Sequence, residues 1–236
     1  MKIEHKNVAL IDADIICYAV GFAANKDPVE NALHSVKVMI RSILEKTKAD
    51  SYRCFLTGKG NYRESIATIA KYKGNRTGEK PVHYNAIREY LLDYHDAELI
   101  EGREADDAMG CAQNDKTIIC SIDKDLNMIR GRHYNWRKDV IYEVSQSEAD
   151  IFFMKQLMTG DATDNIKGLA GIGDKRAQAV IDNAKNMTDL YWTILDMYAV
   201  QYERPYEAMM ENAHLLWIQR EEGELWDSNT AEFANE

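Results

Sequence analysis

The chain has 236 residues, 45% of them apolar, with a formal net charge of −10. This suits a packed soluble protein, either one large domain or a core with a small appendage. No run of about 18 apolar residues predicts a transmembrane helix, and acids interrupt the first apolar run, "MKIEHKNVALIDAD", too early for a secretory signal. Cys17, Cys54, Cys111 and Cys120 are scattered with no Cys-x-x-Cys pair, so buried thiols in a reducing cytosol are expected rather than a zinc site or a disulfide framework. The acidic balance alone argues mildly against a nucleic-acid partner, unless the acids surround metal ions that reverse the local field.

In chain order, residues 7–12 (NVALID) are predicted to form a buried strand closed by an acid. Residues 30–47 carry Leu33, Val36, Ile40, Ile43 and Leu44 at helical spacing, and 51–56 form a second strand ended by TGKG. A basic, tyrosine-bearing segment follows, then a helix over 83–95 with Ile87, Leu91 and Tyr94 on one face. Strands are expected at 97–100 and 117–122, separated by a helix that EADDAMGCAQ opens, and a strand pair at 133–144. From 147 the period becomes helical, and SEAD is a capping-box pattern. The fold class is therefore α/β: a mostly parallel sheet flanked by helices over 1–146, with a helical region over 147–236 whose acidic end is expected to fray.

The acids fall at element ends. Asp12 closes the first strand, and Asp123 and Asp125 follow the fourth, at a spacing that puts both side chains on one side of an extended chain. Glu104, Asp106 and Asp107 open a helix, and Asp161 and Asp164 stand at the start of a turn. Helix capping is the competing reading for Glu104 to Asp107, and an ordinary turn for Asp123 and Asp125. An acid closing an apolar strand is costly unless it is paired or metal-bound. Asp14 is either a supporting group or a helix cap. In an open parallel sheet, ligands bind beyond the carboxyl ends of the strands, so four segments deliver acids where the fold could unite them. Oxygen-only ligands suit Mg²⁺ or Mn²⁺, and two such ions about 3.5–4 Å apart serve in-line phosphodiester hydrolysis. Setting those eight acids aside leaves a formal charge of −2 from −10.

Two basic elements accompany them. Lys71, Tyr72, Lys73 and Arg76 lie in one short segment, where cations could stabilise charge on a phosphate and a tyrosine could stack on an unpaired base. GLAGIGDKRA holds Gly168, Gly171 and Gly173 before Lys175 and Arg176. That arrangement lets backbone N–H groups approach a phosphate at a helix mouth. A solvated loop and a glycine-capped helix turn are the plainer readings of these two stretches.

The motifs LIDAD, YKGNR, EADD, SIDKDL and GDATDNIKGLAGIGDKRA, in that order, resemble the 5′ nucleases of the flap-endonuclease class, over about residues 7 to 185. The resemblance implies a two-metal site (Mg²⁺ or Mn²⁺) built from Asp12, Glu104, Asp106, Asp107, Asp123, Asp125, Asp161 and Asp164. It implies that Lys73 and Arg76 approach the scissile phosphate and that Tyr72 stacks on the terminal base. It further implies a helix–three-turn–helix element over 161–185, with Gly168, Gly171, Gly173, Lys175 and Arg176 gripping duplex DNA, often with K⁺. A cytoplasmic monomer that binds no membrane is expected. The family's usual acid after the second strand is replaced by Gly58, and the stretch from Lys73 to Glu104 is short for a closed arch, so an open or flexible clamp is expected. Two rival readings are a structure-specific DNA-binding protein with a degenerate site and an RNA-directed nuclease of the same core. Leu215, Trp217 and Trp226 are read as packing residues.

Overall fold

The computed structural model describes residues 7–228. It divides into two compact units, one comprising residues up to Gly60, Gly78–Gln146 and Ile218–Glu222, the other Asn61–Thr77, Ser147–Trp217 and the residues from Gly223.

The first unit is built on a six-stranded sheet. Its strands are β1 (Val8–Asp12), β2 (Ser51–Thr57), β3 (Glu98–Ile100), β4 (Thr117–Cys120), β5 (Gly131–Asn135) and β6 (Val140–Val144), in the spatial order β3-β2-β1-β4-β5-β6. All neighbours pair in parallel except β5 and β6, which are antiparallel. Parallel strands are covered on both faces and therefore read as unbroken apolar runs. Ala9 and Ile11 of β1 join Cys54, Leu56, Ile118 and Cys120 in a core with Ile16 and Val20 of α1 (Ala13–Ala23), Val36, Ile40 and Ile43 of α2 (Val29–Thr47), and Ile87 and Leu91 of α4 (Tyr84–His95). Leu10, Phe55 and Ile119 alternate onto the other face, also buried, and α5 (Ala105–Ala112) packs on β1 and β2. Tyr94 departs from its predicted face: it is exposed and stacks on Tyr90.

Strand order reverses between β1 and β4, because the chain builds outward from β1 through β2 and β3, then returns to the other side of β1. The gap beyond the carboxyl ends of those two strands is the topological switch point, where open α/β sheets bind ligands.

The second unit is mainly helical: α3 (Tyr62–Ile66), α6 (Gln146–Thr159), a short hairpin of β7 (Gly160–Asp161) and β8 (Ile166–Lys167), α7 (Asp174–Asn183), α8 (Met187–Ala199) and α9 (Pro205–Leu216). Ser147 does not cap α6, which opens one residue earlier, at Gln146. Phe153 meets the ring of Trp217 edge-on at 5.0 Å and that of Trp226 at 5.2 Å. Leu215, Trp217 and Trp226 are buried, as packing residues should be. Asn212 is buried and both its amide hydrogens have partners: its Nδ2 donates to the Lys167 carbonyl at 2.7 Å and to Tyr198 Oη at 2.8 Å. Of the acidic tail, residues 229–236 lie outside the described residues. All four cysteines are thiols, and among the described residues no helix is long and apolar enough to cross a membrane.

Candidate active site

Six of the eight predicted acids belong to the first unit and stand at or after the carboxyl ends of β1, β3 and β4. Asp12 ends β1 and is 2% exposed. Its Oδ1 accepts the N–H of Ile15 at 3.1 Å, capping α1, and its Oδ2 accepts Ser121 Oγ at 2.6 Å, just past β4. Ser121 Oγ in turn accepts the N–H of Asp123 at 3.0 Å. One buried hydroxyl thus ties the ends of the two strands flanking the switch point. Burial pushes the Asp12 carboxyl up to about 7, and the negative charges of Asp14 and Asp123 push the same way, against the hydrogen bonds from Ser121 and Ile15.

Asp14 is not the cap. Its Oδ2 accepts the N–H of Thr57 at 2.9 Å, and its Oδ1 faces Arg88 Nη1 at 3.3 Å. Arg88 also donates to the Thr57 carbonyl, while Thr57 Oγ1 accepts the N–H of Ala105, the first residue of α5. Arg88 therefore links α1, the end of β2 and the acidic start of α5. Burial raises the Asp14 carboxyl, the Thr57 bonds and Arg88 lower it, and the charge of Glu104 raises it again. Three segments, those of Asp12 and Asp14, of Glu104, and of Asp123, are electrostatic neighbours.

The competing capping reading is also correct for α5. Asp107 is fully buried; its Oδ2 accepts the Glu104 N–H at 3.1 Å in a capping box, and its Oδ1 accepts the Gln219 N–H at 3.1 Å. Two backbone amides fix this carboxylate. Asp106 lies half-buried in the same turn. The chain past β4 is not extended: the strand stops at Cys120, Asp123 Oδ1 accepts the Asp125 N–H at 2.9 Å, and Asp125 opens a 3-10 turn. The predicted same-side placement of Asp123 and Asp125 is thereby replaced by a local turn.

At Gly58 the bare Cα is packed against its surroundings. A Cβ there would stand 2.7 Å from both the Ile100 carbonyl oxygen and Glu101 Cδ, and Glu101 Oε2 accepts the Lys59 N–H at 2.7 Å. A cleft of about 520 Å³ lies elsewhere, around Gln113, Arg130, Arg132 and Glu143 at the amino ends of β4 and β5, and holds none of the predicted acids.

Asp161 and Asp164 belong to the second unit, with the basic segment. Asp161 is buried and accepts the Thr163 N–H at 2.7 Å. Asp164 gathers three partners from the YKGNR motif: Tyr72 Oη at 2.8 Å, Arg76 Nη2 at 2.5 Å and Lys73 Nζ at 3.5 Å. Tyr72 is therefore not an open stacking platform. Its ring is buried, its hydroxyl donates to Asp164, and Lys73 Nζ lies 5.0 Å from the ring centroid. The expected open clamp is likewise fastened: Lys73 N donates to the Asp164 carbonyl at 2.8 Å, Asn75 Nδ2 to the Ala162 carbonyl at 2.6 Å, and Asn165 Nδ2 to the Lys71 carbonyl at 2.9 Å.

The three glycines of the turn have different work. Gly168 packs against the chain itself, since a Cβ would stand 2.2 Å from the Thr159 carbonyl carbon and 2.3 Å from Gly160 N. Gly171 has φ of 77°, and its carbonyl accepts Arg176 Nη1 at 2.7 Å, so this arginine braces the turn. Gly173 is the N-cap of α7 with open space around it, and Lys175 is exposed in the first helical turn.

Among the described residues no group of three or more His, Cys, Asp and Glu side chains forms a ready metal cage. The donor set of the first unit nevertheless fits a hard cation: oxygen ligands only, one of them buried beside two further acids that push its carboxyl toward protonation.

The fold is that of the phage T5 exonuclease. The T5 D15 protein co-crystallised with metal ions superposes with a TM-score of 0.65 at 19% identity, covering 91% of this chain and 90% of that one. The T5 D15 flap endonuclease in a complex with DNA and metal ions gives 0.58 at 18% identity, covering 89% and 99%. No protein-family model matches the chain. In sequence it is similar to the 5′-3′ exonuclease of Mycoplasmopsis pulmonis (strain UAB CTIP), 29% identical over 151 residues, 56% of this chain and 50% of that protein. It is also similar to DNA polymerase I of Bacillus subtilis (strain 168), 26% identical over 240 residues, 89% of this chain and 27% of that protein. The match thus spans half of the first relative and about a quarter of the second. The chain thus shares the fold of the T5 exonuclease and is similar in sequence to 5′-3′ exonucleases and to part of DNA polymerase I.

Proposed function

We propose that the chain is a divalent-metal-dependent 5′ nuclease that hydrolyses phosphodiester bonds in DNA, as a 5′→3′ exonuclease, a flap endonuclease or both. The observation that carries this reading is the buried carboxylate of Asp12 at the switch point, tied through Ser121 to the segment of Asp123 and repelled by its acidic neighbours. Relatives named as exonucleases, and a T5 relative solved with DNA and metal ions, support it.

In this reading Asp12, Glu104, Asp106, Asp107, Asp123 and Asp125 hold the ions. Asp161 and Asp164 are added on the strength of the motif they share with the family. Two bound divalent cations would neutralise the phosphate and supply Lewis-acid chemistry. Ser121 and the Arg88–Asp14 pair keep the carboxylates oriented, as supporting hydrogen bonds do in metal sites. Lys73 and Arg76 provide positive charge for the phosphate. Lys175 and the open N-terminus of α7 at Gly173 contact the strand backbone, with Arg176 and Gly171 shaping the turn.

Gly58 is the observation that favours the second reading, a DNA-binding protein that does not cut. One experiment separates the readings: a 5′-labelled duplex with a single-stranded 5′ tail, incubated with Mg²⁺, Mn²⁺ or EDTA beside an RNA duplex of the same design. Metal-dependent cleavage of the DNA is expected, and product length reports exonuclease against flap cutting. A gel shift without cleavage in either metal would overturn the enzyme reading, and preferential cleavage of RNA would overturn the substrate.

A further inference from the structure

We propose that Glu211 on α9 is a positioning residue: it latches the basic segment so that Tyr72, Lys73 and Arg76 are presented as a set. This rests on the nuclease reading above. After α3 the chain runs without helix or strand from Ala67 to Lys71 before the turn that holds Tyr72 and Lys73. The Ala67 N–H still closes α3 on the Arg63 carbonyl at 3.1 Å, but the residues after it lie outside any helix or strand ladder that would fix their path.

Glu211 supplies hydrogen bonds from more than 140 residues away in sequence. Its Oε1 accepts the N–H groups of Thr68 and Ile69, each at 2.7 Å, and its Oε2 accepts the Thr68 hydroxyl. Hydrogen bonds to an ionised acceptor are the strong kind, and three converging on one carboxylate define an orientation as well as a contact.

The helix that carries Glu211 is also held at its C-terminal end. Arg63 of α3 is 2% exposed; its Nε donates to the Leu215 carbonyl at 3.0 Å and its Nη2 to the Trp217 carbonyl at 2.5 Å. Carbonyls at a helix end lack partners within the helix and favour a cation. The segment is thus tied to α9 twice, at Arg63 and at Thr68–Ile69, before it reaches Asp164 through Tyr72, Lys73 and Arg76. Lys73 has φ of 53°, a left-handed conformation that a lysine keeps only where its surroundings impose it. The Thr68 and Ile69 positions are exposed, so water can replace Glu211 at those amides, and loss of the latch should cost position more than fold.

The test uses Glu211→Ala and Glu211→Gln in the full chain. Gln keeps one oxygen able to accept both amides and can donate to the Thr68 hydroxyl. Expected for Glu211→Ala are a kcat on the tailed duplex reduced about tenfold with KM within threefold, and a melting temperature within about 3 °C of wild type, with Glu211→Gln recovering most of the rate. In a Lys73→Ala background, Glu211→Ala should cost no more than twofold further, because both changes remove the same placement. A kcat within twofold of wild type, or an undiminished tenfold loss in the Lys73→Ala background, would overturn the latch. Hydrogen exchange reads it without catalysis: the amides of residues 68–73 should exchange at least tenfold faster in Glu211→Ala, and unchanged exchange would refute it. An inactive wild type whose segment still loosens in Glu211→Ala would strike the nuclease reading and spare the latch.

Discussion

Asp123→Asn is expected to lower the rate of DNA cleavage by at least about 100-fold and to leave DNA affinity and melting temperature nearly unchanged. The two residues differ by one charge and two protons. Asp123 is held by its own N–H donating to Ser121 Oγ, which the substitution does not touch. Its Oδ1 accepts the Asp125 N–H, and the amide oxygen of Asn accepts the same bond. What disappears is a negative charge next to Asp12 at the switch point. A purely structural aspartate would survive that exchange, whereas a ligand for a divalent cation would not. Glu45→Gln is the control: it removes one negative charge from α2, where Glu45 faces Arg41 on the exposed surface at 3.8 Å. Steady-state cleavage of the tailed duplex and a gel shift in EDTA read both quantities. Wild-type rates in Asp123→Asn would remove this residue from the site.

Asp12→Asn should stabilise the metal-free protein at pH 8. The carboxyl of Asp12 is raised from an ordinary 3.8 to about 7, chiefly by burial. For a raised group, the stability associated with protonation is fully present below the unfolded value and is lost as pH rises through the folded one. The cost of ionising Asp12 in place therefore grows from about pH 4 to pH 7 and is flat above. At about 1.4 kcal/mol per unit this is on the order of 4 kcal/mol. Asn cannot accept from both Ser121 Oγ and the Ile15 N–H, which returns about 1 kcal/mol of the gain. A net rise of several degrees in melting temperature is expected in EDTA at pH 8, shrinking toward pH 5 and absent below pH 4. Saturating Mn²⁺ should raise the melting temperature of the wild type more than that of Asp12→Asn. A variant less stable than wild type at pH 8 in EDTA would show that the buried carboxylate is not a strained ligand.

Much of this was legible in the sequence for a definite reason. Parallel strands buried on both faces leave runs such as VALI and TIIC, and an acid directly after such a run marks a strand end. The place of Asp12 at a strand end was therefore legible in the sequence alone. The acids of EADD were legible only in part, because capping and ligation use the same residues at a helix start, and Asp107 is in fact braced by two backbone amides. What stayed hidden are bonds between residues far apart in the chain, which impose no periodicity. Ser121 bridging to Asp12, Arg88 reaching Asp14, Gln219 reaching Asp107 and Glu211 reaching Thr68 span 109, 74, 112 and 143 residues. Tyr72 was misread for a related reason. An aromatic residue in a basic segment looks exposed until its hydroxyl is seen donating to Asp164. Gly168 was read as a phosphate-facing glycine, yet its missing side chain is required by the backbone of Thr159 and Gly160.

The central claim is that carboxylates brought together at the sheet's carboxyl edge exist to hold divalent cations. Mn²⁺ titration of the metal-free protein at pH 7.5, with unbound Mn²⁺ followed by electron paramagnetic resonance, addresses it without any substrate. Saturable binding to the wild type is expected, weakened at least tenfold in Asp12→Asn. A wild type that binds no Mn²⁺ in the millimolar range, or an isotherm that Asp12→Asn leaves unchanged, would contradict the account.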